Sequence, residues 1–338
     1  MDLGREYWRG IYETSIQVFP LPKVLAGVMY KISNPNVSLL RLPYALMGVI
    51  SAYIMYLITK REYGKKYGIL AALLFTSSPI IFNATRMMML EPLMHLFWLL
   101  FHFFYYKCIK DNKLTYFIAA GIFLGLSIST KVTSVILIPF VLITLPFAVI
   151  RYKPQKTKVF FNYLVLFALA VPPFLGTHFL YLQKMGVIYG LRKIYDAIFD
   201  VFIAKSNEGK LHLINNKLYS KSPSWTYFFY LYKQHGIIKI SLYVITTLIA
   251  LAKKKMFTLY WGTFLLISFS FHQLSGIKNE RYISSLEIPL IMLVTAGVFY
   301  LLQQLRKKGI ASNKTIYTAT NTIYPILCFY IKPKTYQI

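Results

Sequence analysis

The chain reads as long apolar runs separated by short polar connections. Runs of this length predict helices that cross a membrane. They fall at residues 42–59, 67–82, 92–106, 114–129, 132–150, 159–182, 237–252, 256–272 and 285–302. Several are shorter than the roughly 20 residues a straight crossing needs. A tenth run, 316–330, is interrupted by Asn321 and Pro325. Residues 1–36 are polar and aromatic, with an apolar run only at 24–29. That run is too short to span. Pro20 and Pro22 start it and Lys23 and Lys31 flank it, which predicts a helix lying in the interface.

The polar connections alternate in charge. Lys60, Arg61, Lys65 and Lys66 follow the first run, and Lys107, Lys110 and Lys113 the third. Arg151, Lys153, Lys156 and Lys158 follow the fifth, residues 253–255 the seventh, and residues 306–308 the ninth. Basic clusters in every second connection mark the cytoplasmic side. The connections 83–91, 130–131, 183–236 and 273–284 are then external. The pattern divides the chain into an external first loop at 1–41, a helix bundle at 42–302 that includes the external loop 183–236, and a cytoplasmic tail at 303–338. Residues 1–41 lie outside in this order with nothing ahead of them to carry them across. Either this segment is translocated unaided or a preceding transmembrane helix is missing from this chain, and the second is the favoured expectation.

Composition sharpens this reading. Only 14% of the residues are charged, while 57% are hydrophobic and 17% aromatic; soluble domains carry about 25% charged residues. The formal net charge is +27. A basic excess often signals nucleic acid, but here the cations sit between apolar runs, so membrane lipids and not nucleic acid are the expected partner. Cys108 and Cys328 lie at or near run ends and are expected as free thiols. No Gly-rich phosphate loop, HExxH or CxxC occurs, so no metal site and no cofactor are expected.

Candidate chemistry gathers at one rim. The segment from Asn83 to Pro92 carries Arg86 and Glu91 where almost no other charge is found. A cation and an acid at the lip of a membrane helix need water, each other or a ligand. Lys131, Lys278, Glu280, Arg281 and Glu287 fall on the same expected external rim. A site facing water above the membrane fits this better than a pathway through it. His95 and His102 share a helix face and read as buried, hydrogen-bonded residues. In the loop 183–236, Tyr219 to Trp225 suit a sugar or peptide cleft, and Tyr227 to Tyr232 an aromatic belt at the headgroups.

Four segments, taken in order, resemble the membrane glycosyltransferases of the C-type fold. They resemble in particular the protein O-mannosyltransferases and the related lipid A aminoarabinose transferases. Phe19-Pro20-Leu21-Pro22-Lys23-Val24-Leu25 is similar to the family's H-P-P-L-x-K-L-L. Arg86-Met87-Met88-Met89-Leu90-Glu91-Pro92 resembles R-x-x-x-L-D-P, and Gly125-Leu126-Ser127-Ile128-Ser129-Thr130-Lys131 resembles G-L-x-x-x-T-K. Tyr219-Ser220-Lys221-Ser222-Pro223-Ser224-Trp225 is similar to Y-x-S-x-P-W, and Arg281-Tyr282 adds a shorter match. The likeness covers most of residues 1–302.

The resemblance implies an all-α polytopic membrane protein whose external loops form the site. It implies transfer of mannose or a similar sugar from a polyprenyl or dolichyl phosphate carrier to a protein or lipid acceptor, with inversion, on the non-cytoplasmic face. For a prokaryotic member that face is the outside of the plasma membrane. The lipid-linked sugar is then a substrate and no cofactor is implied. A leaving phosphate needs cations, which by the resemblance are Arg281, Lys131 and Arg86; Arg86 could instead hold Glu91. Glu91, Tyr219, Ser222, Trp225 and Tyr282 are the implied lining.

The chain departs from the family pattern. The first-loop His is replaced by Val18 or Phe19, and Glu91 stands for the usual Asp. The expected base is an Asp of an Asp-Glu pair, and no such pair precedes Phe19. The resemblance places it ahead of Met1; within the chain Asp2 and Glu6 are the candidates. Two other classes stay open: an inactive relative that binds lipid-linked sugar, and a lipid-linked sugar transporter.

Overall fold

The computed structural model describes residues 20–33, 37–86, 89–203, 212–214, 217–219, 222–274, 278 and 280–308. Asp2, Glu6, Cys328 and the run at 316–330 lie outside the described residues. The described chain is helical apart from one small hairpin. The helices are α1 (Pro20–Ser33), α2 (Val37–Tyr63), α3 (Lys65–Thr76), α4 (Pro79–Arg86), α5 (Glu91–Asp111), α6 (Leu114–Ile128) and α7 (Leu137–Arg151). They continue with α8 (Lys156–Met185), α9 (Val187–Ile203), α10 (Thr226–Ala252), α11 (Met256–Leu274) and α12 (Ile283–Lys307). Strands β1 (His212–Ile214) and β2 (Lys217–Tyr219) pair antiparallel, with His212 opposite Tyr219.

Local sequence explains most boundaries. Pro79 opens α4 and Pro92 stands near the start of α5, where a missing N–H costs nothing. Asn112 ends α5 in the left-handed region at φ 47°, which Asn tolerates better than most residues. Gly236 has φ 69° and ψ 167° inside α10, a conformation open mainly to glycine, and it divides that helix.

Three expected elements differ from those observed. The run 67–82 is not one helix: α3 and α4 meet at a 62° bend around Ser77 and Ser78, ahead of Pro79. Proline at the start of a helix and serine hydroxyls that compete for backbone groups make this a natural break. The loop 183–236 contains α9, the hairpin and the first turns of α10, which begins at Thr226 and not at residue 237. Its Tyr, Lys and Asp residues lowered its apolarity and hid the helical period of α9.

Five described helices are long and apolar enough to cross a membrane, or six if the bent pair α3–α4 counts as one. The runs at 92–106, 114–129 and 256–272 do form helices. However, α6 is only 15 residues long, and α5 and α11 carry His95, His102, Thr258 and Ser268 among their apolar residues.

The chain folds as two compact units. The first comprises Met1–Ser51, Ala84–Leu211 and Ser270–Ile277. In it α6 packs between α5 and α8. A Cβ on Gly121 would lie 2.4 Å from the Leu166 carbonyl oxygen, and one on Gly125 2.2 Å from that of Ala170. Small residues let helices touch backbone to backbone where lipid supplies no hydrophobic drive. Polar pairs add to this: Trp98 Nε1 donates to Ser134 Oγ at 2.9 Å, and Asn162 to Asn112 at 3.0 Å.

The second unit comprises Ala52–Asn83, His212–Phe269 and Lys278–Ile338. Its centre is α12, whose apolar stretch is 83% buried. Helices α3 and α10 pack on it. Gly297 admits the Thr246 carbonyl of α10 so closely that a Cβ would lie 1.9 Å from it. Thr59 of α2 donates to Met292 Sδ at 3.3 Å on another face.

Candidate functional site

In the first unit the predicted residues collect where α5 begins. Glu91 opens that helix, where a carboxylate complements the N-terminal dipole. Lys131 stands in extended backbone after α6, just ahead of a short 3-10 turn at Val132–Ile136. The segment Gly125–Ser134 holds itself in shape. Ser129 Oγ donates to the Gly125 carbonyl at 2.8 Å, Thr130 Oγ1 to that of Ser127 at 2.6 Å, and the Ser134 amide to that of Lys131 at 2.9 Å. Thr177 of α8 donates to Ser129 Oγ at 2.8 Å. The Ser129 and Thr130 hydroxyls thus spend their bonds on the turn, and the turn aims Lys131.

Lys131 Nζ donates to Glu91 Oε1 at 2.8 Å. The two side chains are 13% and 3% exposed. Glu91 precedes the apolar stretch of α5. Burial alone would raise its carboxyl pKa, but the charge and hydrogen bond of Lys131 outweigh that and hold it below the ordinary value. Glu91 Oε2 is buried with no hydrogen-bond partner. Arg86 is exposed at the last residue of α4. The alternative in which Arg86 holds Glu91 is corrected here: Lys131 does so.

In the second unit the site residues follow the hairpin. The ring of Tyr219 meets that of Trp225 edge-on at 6.1 Å, and Trp225 meets Phe229 at 5.9 Å. Trp225 is exposed and Ser222 buried. The buried Lys278 donates to the Pro223 carbonyl at 2.9 Å and to that of Ser222 at 3.5 Å. Just beyond Lys278, residues Glu280–Tyr282 form a 3-10 turn that leads into α12. Ser284 Oγ donates to the Arg281 carbonyl at 2.8 Å and Ser285 Oγ to that of Tyr282 at 2.6 Å. The Gln234 side-chain amide donates to the Glu280 carboxylate. Arg281 is therefore exposed on a turn held through its backbone by Ser284 and Ser285 and through the Glu280 side chain by Gln234, with Tyr282 half-buried beside it.

Sequence reasoning did not single out Gln234 or His235. A polar Gln-His-Gly triplet inside an apolar stretch was the available signal. Among the described residues no three His, Cys, Asp or Glu side chains gather as a metal site requires.

Comparison with known proteins bears on this arrangement. Residues 18–176 match the family described as dolichyl-phosphate-mannose-protein mannosyltransferase. The structure is similar to that of ArnT from Cupriavidus metallidurans bound to undecaprenyl phosphate, with a TM-score of 0.63 and 14% identity over 96% of this chain. The fold is that of the C-type membrane glycosyltransferases.

A second C-type structure is also similar: the archaeal oligosaccharyltransferase AglB from Archaeoglobus fulgidus, in complex with an inhibitory peptide and a dolichol-phosphate. The TM-score is 0.56, with 14% identity over 92% of this chain. Over 90 residues the sequence is 33% identical to the putative mannosyltransferase YkcB of Bacillus subtilis (strain 168), covering 27% of this chain and 13% of that protein. The chain spans 57% of the ArnT structure and 46% of AglB, about half the length of the C-type structures it matches.

Proposed function

We propose that this chain serves sugar transfer from a polyprenyl or dolichyl phosphate carrier to a hydroxyl of a protein or lipid acceptor, on the outer face of the plasma membrane. The match of residues 18–176 to the mannosyltransferase family carries the reading, and it favours mannose. The C-type fold, seen in structures that hold undecaprenyl phosphate and dolichol-phosphate, supports the carrier.

The reaction is one displacement. The acceptor oxygen attacks the anomeric carbon as the bond from that carbon to the phosphate oxygen breaks. The electron pair leaves on the phosphate, and the acceptor proton goes to a carboxylate base, for which Asp2 and Glu6 are the candidates within this chain. The departing phosphate needs charge rather than a proton. Arg281 suits it: a guanidinium offers a planar fork of donors, and this one is presented on a fixed turn. Lys131, assigned to the phosphate by resemblance, has its ammonium on Glu91. Its role in this reading is to hold that carboxylate. Arg86, exposed at the end of α4, remains a second candidate cation for the anionic head. Tyr219 and Trp225 offer aromatic planes of the kind that pack on sugar or peptide.

Membranes that contain the full chain, incubated with radiolabelled polyprenyl-phosphate mannose, test the reading. Label transferred to an acceptor is the expected result. Label moved across the membrane without transfer identifies a carrier, and label bound but never transferred identifies an inactive relative; either overturns the proposal.

A further inference from the structure

The second unit contains a buried carboxylate that the transfer step does not use. Glu287 lies early in α12, and its side chain is 1% exposed. His235 Nε2, also on a side chain 1% exposed, donates to Glu287 Oε1 at 2.7 Å. The Ser78 hydroxyl and the buried Lys239 of α10 lie within electrostatic reach of the same carboxylate.

The placement of these partners is informative. Ser78 sits where α3 and α4 bend apart by 62°, and His235 immediately precedes Gly236, where α10 breaks. The interruption in α10 is therefore tied to one carboxylate on the central helix, and the bend between α3 and α4 lies beside that carboxylate. Backbone freed at a helix break in apolar surroundings needs polar partners nearby, and a buried charge tolerates little displacement of its partner. Glu287 can thus fix where the short segment Thr226–His235 lies, independently of the rest of α10.

That segment leads back to Arg281. Gln234, next to His235, bonds Glu280, the residue before Arg281. Lys278 grips Ser222 and Pro223 just ahead of the same segment. We infer that Glu287 and His235 are positioning residues: their contact sets the Thr226–His235 segment, which through Gln234 and Glu280 sets the turn that presents Arg281 to the donor phosphate. The inference rests on the reading of Arg281 as the phosphate ligand, and the test separates the two.

Purified full chain is assayed for binding of undecaprenyl phosphate. Arg281→Ala and Glu287→Ala are each expected to weaken binding about tenfold, as loss or misplacement of a charge-assisted contact does. The double variant is expected to be no more than about threefold worse than Arg281→Ala, because the two act through one contact. Glu287→Gln, which keeps an acceptor for His235, is expected to stay within about threefold of the parent, so a loss in Glu287→Ala is not read as misfolding.

Gln234→Cys with Glu280→Cys, in a chain whose own cysteines are replaced, gives a second readout. A short thiol-to-thiol bridging reagent should link the pair readily, and less so once Glu287→Ala is added. Bridging should return most of the affinity that Glu287→Ala removes. Additive losses in the double variant, or equal bridging with and without Glu287, overturn the positioning inference. Unchanged binding in Arg281→Ala overturns the phosphate reading instead, while the bridging yield still judges the positional link.

Discussion

A carboxylate as buried as Glu91 is costly unless its charge is answered, and Lys131 answers it at 2.8 Å. The contact has a signed pH consequence. The folded pKa of Glu91 lies below its ordinary value of 4.5, so its stabilising contribution is present above pH 4.5 and is lost as pH falls through the folded value. Thermal unfolding in detergent should therefore show stability falling on acidification. Lys131→Met should reverse that limb, because burial alone raises the carboxyl and the neutral acid then favours the fold. A slope of the same sign in both proteins would contradict the assigned pair. Arg281 stands in the opposite situation, exposed on a braced turn. If it meets the leaving phosphate, Arg281→Ala should lose on the order of 2–4 kcal/mol of transition-state stabilisation, about 30- to 1,000-fold in rate. Arg281→Lys should recover only part, since the planar fork is gone. Unchanged turnover in well-expressed Arg281→Ala would return the residue to anchoring at lipid headgroups. Motif spacing marked Glu91 and Lys131, but not their pairing: 40 residues separate them, and only the packing of α6 on α5 joins them.

At the level of elements, small residues decide how close the helices come. Gly297 of α12 has the Thr246 carbonyl where a methyl would sit. Gly297→Ala must part α12 from α10, and such overpacking typically costs about 1–3 kcal/mol. A lowered unfolding midpoint, measured in detergent, is the expected outcome; an unchanged one would mean the backbones are not in contact. Long apolar runs were legible because composition alone reveals them, and α2, α7, α8 and α12 lie close to where the runs fall. Breaks were harder to read. Ser77, Ser78 and Pro79 interrupt a run whose composition is continuous, and Gly236 looks like any glycine until its φ of 69° is known. The helix α9 escaped notice because Tyr, Arg, Lys and Asp residues sit among its apolar ones, so neither a membrane-crossing length nor a clean apolar run marked it.

For the whole molecule, charge alternation makes a directional statement. Cysteines introduced at Lys131 and Lys278 should be reached by a small impermeant thiol reagent from outside intact cells, more slowly at the buried Lys278, while those at Lys65 and Lys254 should react only after permeabilisation. Labelling in the reverse sense would remove the outer-face assignment. The central claim is transfer of a sugar from a lipid phosphate with inversion, and the configuration of the product tests it most directly. The full chain in lipid nanodiscs is supplied with undecaprenyl phosphate carrying β-linked mannose and with an acceptor extract, and the anomeric signal of the product is read by NMR. The account predicts an α-linked mannose on the acceptor and free undecaprenyl phosphate in equal amount. A β-linked product, or a donor left intact by a folded chain that binds it, would contradict it.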